Sequence, residues 1–161
     1  MIVISNNSWI ETKKIRELID LLSKDYQKMD VELRIYGTVR SYIKDIFTFK
    51  KKSIGFLGLL TVMYHKVAGG YCDEYNFIDI YLFVGKTMTT EEFIDTLIHE
   101  MRHKYQSVYL PDLGKGRQYE FPCNEKIMKR YIENKKEQDA YDFSLEFYNL
   151  NKEKIDRIFL C

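Results

Sequence analysis

Apolar and polar residues follow two different periods in the first part of the chain. Residues 1–5 are rich in β-branched side chains and predict a strand. Ser8 and Glu11 have the spacing of a capping box, which predicts that a helix begins there and runs to about Tyr26. Its apolar residues recur at helical spacing: Ile10, Ile15, Leu18, Ile19 and Leu22. A second strand is predicted by three apolar residues that alternate with polar ones: Val31, Leu33 and Ile35.

The middle of the chain predicts a short helix and further strands. Residues 42–49 favour the helix, and residues 59–66 favour a strand. Gly69 and Gly70 predict a turn. The segment 77–84, FIDIYLFV, has the strongest strand pattern in the chain. All four predicted strands therefore lie before residue 85.

A well-delimited helix is predicted next. Thr89 and Glu92 form a second capping-box pair, so the helix should begin near Thr90. Pro111 disfavours helical geometry in the residue before it, which predicts that the helix ends near Val108. The residues expected to face the core are apolar: Phe93, Ile94, Leu97, Ile98 and Met101.

Helical patterns continue to the end of the chain after a loop predicted at residues 112–120. They divide into roughly 124–134, 136–149 and 151–159. Strands come first and helices later, an order that predicts an α+β domain with a small mixed sheet packed on helices. The 161 residues fit a single domain, 1–161.

Charge and cysteine content narrow the class of protein. Charged residues make up 30% of the chain but leave a formal charge of only +1, so we expect neither nucleic acid nor a membrane as a partner. No stretch has the apolar length of a signal peptide or a membrane span.

The three cysteines, Cys72, Cys123 and Cys161, lack metal-type spacing, and we expect reduced thiols in a cytoplasmic protein. A disulfide pair with one free thiol is the alternative.

The segment 99–103, HEMRH, lies within the predicted capped helix. At 3.6 residues per turn, His99 and His103 project from one helix face and can bind a single zinc ion. Glu100 would lie beside the metal, where it can activate a metal-bound water. This is the HExxH pattern of metalloproteases. The alternative is a chance pair of surface histidines, and we interpret the remaining histidine, His65, as structural.

A catalytic zinc site usually has three protein ligands and one open position. No histidine follows His103, so the third ligand must be a carboxylate farther along the chain. We favour Glu137, because it shares a helix face with Ala140 and Phe143, an apolar stripe that would pack on the HExxH helix. The carboxylates considered for this position are Glu133, Glu137, Asp139, Asp142 and Glu146.

The stretches HEMRHKYQ and EQDAYDFS together resemble the gluzincin-type metallopeptidases, in which HExxH on one helix is completed by a glutamate on a second. They are most similar to small zinc peptidases of bacteria, phages and mobile elements that resemble minimal thermolysin-like domains. The resemblance covers roughly residues 77–147. It implies that His99, His103 and Glu137 are zinc ligands and that Glu100 is the general base.

The resemblance also implies how a substrate is held and where this chain departs from its relatives. The strand at 77–84 resembles the edge strand on which such enzymes bind an extended peptide by strand addition. Many relatives carry an aspartate four residues after the ligand glutamate, where it orients a ligand histidine, and here that position is Tyr141. Asp139, Asp142 or the Tyr141 hydroxyl would take its place. We expect Arg102 to pair with a carboxylate or to line the rim of the cleft.

Together these features predict a monomeric, zinc-dependent peptidase that hydrolyses a peptide or protein inside a bacterial cell. The alternative is a zinc-stabilised regulator that binds another protein and has weak or no turnover. Glu100 favours the peptidase, because a purely structural site needs no base beside it. The residue that stabilises the oxyanion stays open among four tyrosines: Tyr105, Tyr119, Tyr131 and Tyr141.

Overall fold

A computed structural model of the chain describes residues 1–48, 62–63, 67–84, 88–113 and 133–160. Within these ranges the elements are β1 (Ile2–Asn7), α1 (Thr12–Asp20), α2 (Lys24–Lys28), β2 (Val31–Tyr36), α3 (Val39–Thr48), β3 (Gly69–Cys72), β4 (Phe77–Tyr81), α4 (Thr90–Tyr109) and α5 (Lys135–Leu160). The strands form one mixed sheet that packs on helices. The predicted α+β class is therefore confirmed.

The four strands lie in the order β1-β2-β4-β3. β1, β2 and β4 are parallel, and β3 is antiparallel to β4. The predicted turn at Gly69 and Gly70 is wrong, because both glycines belong to β3 and pair with β4. The chain reverses at residues 73–76 instead, where Asn76 has a φ of 57°. Asparagine tolerates this left-handed conformation better than most residues, which explains the turn there.

The strand predicted at 77–84 is shorter and lies elsewhere in the sheet than expected. It ends at Tyr81 and pairs with β2 on one side and β3 on the other, so it is not an edge strand. All five of its residues are buried. Apart from Asp79, which forms an ion pair with Arg34, these residues are apolar or aromatic, as is typical of a strand covered on both faces in the interior of a sheet. Among the described strands, β3 occupies the edge on this side.

The helix predicted from Ser8 to about Tyr26 begins later and is divided. The Ser8 hydroxyl donates to Asn6 Oδ1 (2.6 Å) and accepts from the Ile10 backbone N–H (3.2 Å), so it caps no helix. These local hydrogen bonds compete with the predicted capping box. α1 begins at Thr12 and ends at Asp20, and α2 follows separately. Of the strand predicted at 59–66, only residues 62 and 63 are described, and they are helical.

The later helices agree better with the sequence pattern. α4 begins at Thr90, as predicted, and ends at Tyr109, one residue beyond the predicted end. α5 is one continuous helix of 26 residues rather than two, so the predicted break near residue 150 is wrong. The helix predicted at 42–49 is present as α3 with an earlier start. Most of the loop predicted at 112–120 and of the helix predicted at 124–134 lies outside the described residues.

The main core lies between one face of the sheet and three helices: α1, α4 and α5. Alternate residues of β2 and β4 supply the sheet side, and the buried faces of the helices supply the other: Leu33, Ile35, Ile78, Ile80, Leu18, Leu97, Met101 and Phe147. The second face of the sheet carries a smaller cluster of Tyr36, Tyr42, Tyr81 and Val62. Among the described helices, none combines the length and apolarity needed to cross a membrane. In this fold α4 packs on the sheet and α5 packs along α4.

Candidate metal centre

The start of α4 is fixed by the capping box that the sequence predicts. The Thr89 hydroxyl accepts from the Glu92 backbone N–H (3.1 Å), and the Glu92 carboxylate accepts from the Thr89 backbone N–H (2.7 Å). The predicted apolar face of the helix is fully buried: Phe93, Ile94, Leu97, Ile98 and Met101. With the start and the buried face fixed, the rotation of α4 about its axis is fixed as well. The HExxH residues then lie where α4 meets α5 and β3.

Three ligand-type side chains converge between α4 and α5. The Nε2 atoms of His99 and His103 are 3.0 Å apart. Oε2 of Glu137, in the first turn of α5, lies 3.3 Å from Nε2 of His99 and 3.4 Å from Nε2 of His103. All three donor atoms lie within 4.8 Å of one another, and the group can hold a metal ion.

The other candidate carboxylates lie elsewhere. Glu133 precedes α5 and is exposed, and Asp142 and Glu146 are exposed on that helix. Asp139 pairs with Arg102 instead. Glu137 is the one that belongs to the buried stripe of α5, with four other residues: Ala140, Ser144, Phe147 and Ile155. The position of that stripe against α4 explains why it reaches the histidines.

Glu100 is buried beside this group, on the side of β3. Burial raises the pKa of Glu100, while the nearby His103 and His99 lower it in part. The backbone N–H of Tyr71 in β3 donates to the Glu100 carboxylate and also lowers its pKa. A carboxylate whose pKa is raised by burial and that is held by a backbone donor is suited to accept a proton near neutral pH.

His103 has a strongly perturbed pKa in the metal-free protein. Burial lowers the pKa of His103, but its hydrogen bond to Glu137 and the charge of Glu100 outweigh burial and raise the pKa to about 9. The imidazole is therefore positively charged at neutral pH. A divalent cation that binds here takes the place of that proton.

A second layer of polar residues supports the group. Nδ1 of His103 lies 2.9 Å from Oε1 of Gln106, which is buried one turn further along α4. The amide nitrogen of Gln106 donates to Asp139 Oδ2 (2.7 Å) and to the backbone oxygen of Lys136 (2.8 Å). Arg102 donates twice to Asp139, at 2.7 and 2.9 Å, which confirms the predicted pairing of this arginine with a carboxylate. Hydrogen bonding to Arg102 and Gln106 outweighs burial and lowers the pKa of Asp139.

This second layer answers the question raised by the missing aspartate. Of the three substitutes considered, Tyr141 is 58% exposed and Asp142 is exposed, whereas Asp139 reaches His103 through Gln106. The sequence analysis missed Gln106. Its position three residues after His103 puts both on one helix face, and that spacing was the available signal.

The remaining candidates have different outcomes. Tyr105 is one of the four tyrosines considered for stabilising the oxyanion. Its ring stacks on the ring of Tyr26, with centroids 4.6 Å apart. Cys72 is a free thiol, which fits both the expected reduced state and the alternative of one disulfide with one free thiol. The other residues singled out earlier lie outside the described residues: His65, Tyr119, Cys123, Tyr131 and Cys161.

Comparison with known proteins assigns neither a family nor a function to this chain. The chain matches no protein-family model, no curated protein and no solved structure. The resemblance to gluzincin metallopeptidases therefore stays a prediction from the motif residues.

Proposed function

We propose that this protein is a zinc-dependent peptidase. The observation that carries the proposal is the spacing of the three donor atoms of His99, His103 and Glu137. Ligand atoms at about 2.0–2.1 Å from a tetrahedral zinc ion are about 3.3 Å from one another. The separations here are 3.0, 3.3 and 3.4 Å, so the residues fit the ion with little rearrangement.

The composition of the group favours a catalytic over a structural ion. Two imidazoles and one carboxylate leave one of four coordination positions open, whereas structural zinc sites are usually closed by four protein ligands, often cysteines. Bound zinc would polarise a water molecule and the carbonyl oxygen of the scissile peptide bond. The protein's own part is to hold the ion, orient the substrate and move the proton.

Glu100 is the proposed general base. It accepts the proton of the attacking water and passes it to the leaving amine. Its burial favours this role, because a desolvated carboxylate binds a proton more strongly than an exposed one. The hydrogen bond from the Tyr71 backbone N–H keeps the carboxylate turned toward β3.

The edge strand β3 is the proposed support for an extended peptide. The backbone oxygen of Ala68 accepts from Tyr81 N–H at 2.8 Å, so this residue and every second one after it bond to β4. By the same alternation the polar backbone groups of Gly69 and Tyr71 point the other way, toward the outer edge, where the Tyr71 N–H bonds to Glu100. A peptide paired there as an added strand would pass beside the base. This assigns to β3 the role that the motif resemblance had given to 77–84.

The test is cleavage of a quenched fluorescent peptide library by zinc-loaded protein and by Glu100→Gln. The variant keeps the size of the side chain but cannot accept the proton, so its rate should fall about 10²–10⁴-fold with zinc content unchanged. Glu91→Gln, on the exposed first turn of the same helix, is the matched control and should cleave like the parent. If Glu100→Gln cleaves as fast as the parent, Glu100 is not the base.

The same experiment separates the peptidase from the alternative function. A parent that binds zinc but cleaves no peptide in the library would favour a zinc-stabilised regulator that binds another protein. The monomeric state and the cytoplasmic location stay predictions from the sequence.

A further inference from the structure

The orientation of the buried Gln106 side chain follows from its neighbours. Its Nε2 atom lies 2.8 Å from the backbone oxygen of Lys136 and 2.7 Å from Oδ2 of Asp139. Both neighbours are acceptors, so only the NH₂ end of the amide can face them. Gln106 is 1% exposed, so bulk water does not reach the amide to satisfy the opposite orientation. The amide oxygen must therefore face His103.

This orientation determines where the proton of His103 lies. Oε1 of Gln106 is 2.9 Å from Nδ1 of His103, and an amide oxygen can only accept a hydrogen bond. Nδ1 must therefore carry the proton and donate. In a neutral imidazole the other nitrogen, Nε2, then presents its lone pair, and Nε2 is the atom that faces Glu137 and His99.

Asp139, the outer partner of Gln106, is itself held on several sides. Arg102 binds both of its carboxylate oxygens, at 2.7 and 2.9 Å. The third nitrogen of Arg102 donates to the Tyr26 hydroxyl of α2 at 2.8 Å. The guanidinium lies over the rings of Tyr105 and Phe143, at 4.9 and 4.7 Å. The Asp139 carboxylate is therefore kept in one orientation by residues from three helices.

We propose that Gln106, held by Asp139 and Arg102, is a positioning residue that fixes His103 as its Nδ1–H tautomer and directs Nε2 to the metal. The inference rests on the metal-binding part of the proposed function. Because the Gln106 amide is neutral, it adds no further negative charge to the metal centre. Glu100 and Glu137 already bring two carboxylates to the centre, and the charge of Asp139 is balanced by Arg102 rather than placed directly on the histidine.

The first test compares zinc affinity, measured by competition with a chelator, in the parent and in two variants. Gln106→Met keeps the shape of the side chain but removes the amide acceptor, and it should weaken zinc binding about 10–100-fold. Ser144→Ala is the matched control. The Ser144 hydroxyl bonds to Asp95, at 2.7 Å between the same two helices, and to the backbone oxygen of Tyr141, neither of which is a proposed ligand, so its loss should leave zinc affinity unchanged. Equal losses of affinity in both variants would show that Gln106 acts only through helix packing.

The second test observes the proton itself, without any substrate. In zinc-loaded protein with ¹⁵N-labelled histidine, His103 should show a slowly exchanging Nδ1 proton in NMR spectra, and Gln106→Met should lose that protection. Asp139→Asn offers a milder change, because an asparagine amide can present its NH₂ and allow the Gln106 amide to reverse. This variant should show a partial loss of both protection and affinity.

The inference is overturned if Gln106→Met binds zinc like the parent with the Nδ1 proton still protected, or if the parent binds no zinc. Should Gln106→Met not fold, unchanged affinity and protection in Asp139→Asn would overturn it equally. A parent that shows the protected proton and binds zinc but cleaves no peptide would refute the peptidase and leave this role of Gln106 intact.

Discussion

Replacing Gly69 with alanine would insert a methyl group between the edge strand β3 and helix α4. The added Cβ would lie 2.7 Å from Thr96 Cγ2 and 3.1 Å from both Glu100 Cγ and Ile80 Cδ1. Non-bonded carbon atoms pack at about 3.5–4.0 Å, so one side of this contact must move by roughly 1 Å. Thr96 is β-branched and has few alternative rotamers in a helix, so we expect the strand to move.

The expected cost in stability is moderate. Overpacking of a well-packed contact costs about 1–3 kcal/mol, and the loss of glycine's freedom in the unfolded chain returns about 0.4–1 kcal/mol. The net loss of about 1–2 kcal/mol corresponds to a fall in Tm of about 2–8 °C for a chain of this size.

The expected cost in activity is larger, because a shift of β3 takes the Tyr71 N–H away from Glu100. A misplacement of about 1 Å at a catalytic group costs about 10²-fold in rate. Zinc content should not change, since the ligands belong to α4 and α5.

The assays are thermal unfolding of zinc-loaded protein and the rate of peptide cleavage. Gly70→Ala is the matched control, because a Cβ at that position has no neighbouring atom within 4 Å, and it should be neutral or slightly stabilising. Thr96→Ser removes the methyl group that clashes, so the double variant Gly69→Ala/Thr96→Ser should recover most of the lost stability. Equal Tm values and rates for Gly69→Ala and Gly70→Ala would refute the proposed contact between β3 and the base.

Three further outcomes follow from the structure. Glu137→Ala should weaken zinc binding far more than Glu133→Ala, and similar affinities in a chelator competition would show that α5 carries a different ligand. The pKa of His103 is raised to about 9 and zinc needs the neutral imidazole, so zinc affinity should rise with pH up to about 9. Calorimetry in two buffers measures the proton released on binding. A constant affinity from pH 7 to 9 would contradict this prediction. Asp79→Ala leaves the buried Arg34 without its ion-pair partner (Nε to Oδ1, 2.6 Å) and should cost about 3–5 kcal/mol in urea denaturation, whereas Arg34→Met/Asp79→Leu should recover most of it. If Asp79→Ala is as stable as the parent, the ion pair between Arg34 and Asp79 is not needed for stability.

Features set by short-range geometry were predictable from the sequence. The capping box of α4 needs only Thr89 and Glu92, three residues apart, and it forms. The convergence of His99 and His103 is likewise a property of any helix. Glu137 required one assumption more, that the stripe containing Ala140 packs on α4, and the structure has that packing.

Features decided by partners distant in sequence were not predictable. One local pattern also failed: Ser8 has capping-box spacing, but its hydroxyl donates to Asn6, only two residues before it. Gly69 looked like part of a turn because nothing local reveals that β4 pairs with it. The role of Gln106 depends on Asp139 and Lys136, 33 and 30 residues away on another helix. Periodicity within one element cannot specify such contacts.

The third ligand comes from the opening turn of a long helix, and this has a kinetic consequence. Glu137 is the third residue of α5, where the side chain of Asn134 caps the backbone N–H of Lys136 at 3.1 Å. Helix ends fray far more readily than helix interiors or whole domains unfold. Release of the ion then requires the unwinding of one turn, which also breaks the bond from Gln106 to the Lys136 backbone oxygen, while Phe147 and Ile155 keep the rest of α5 in the core. The rate of metal exchange would therefore be set by fraying at Asn134 and not by global unfolding, so the folded protein could equilibrate with the surrounding supply of metal.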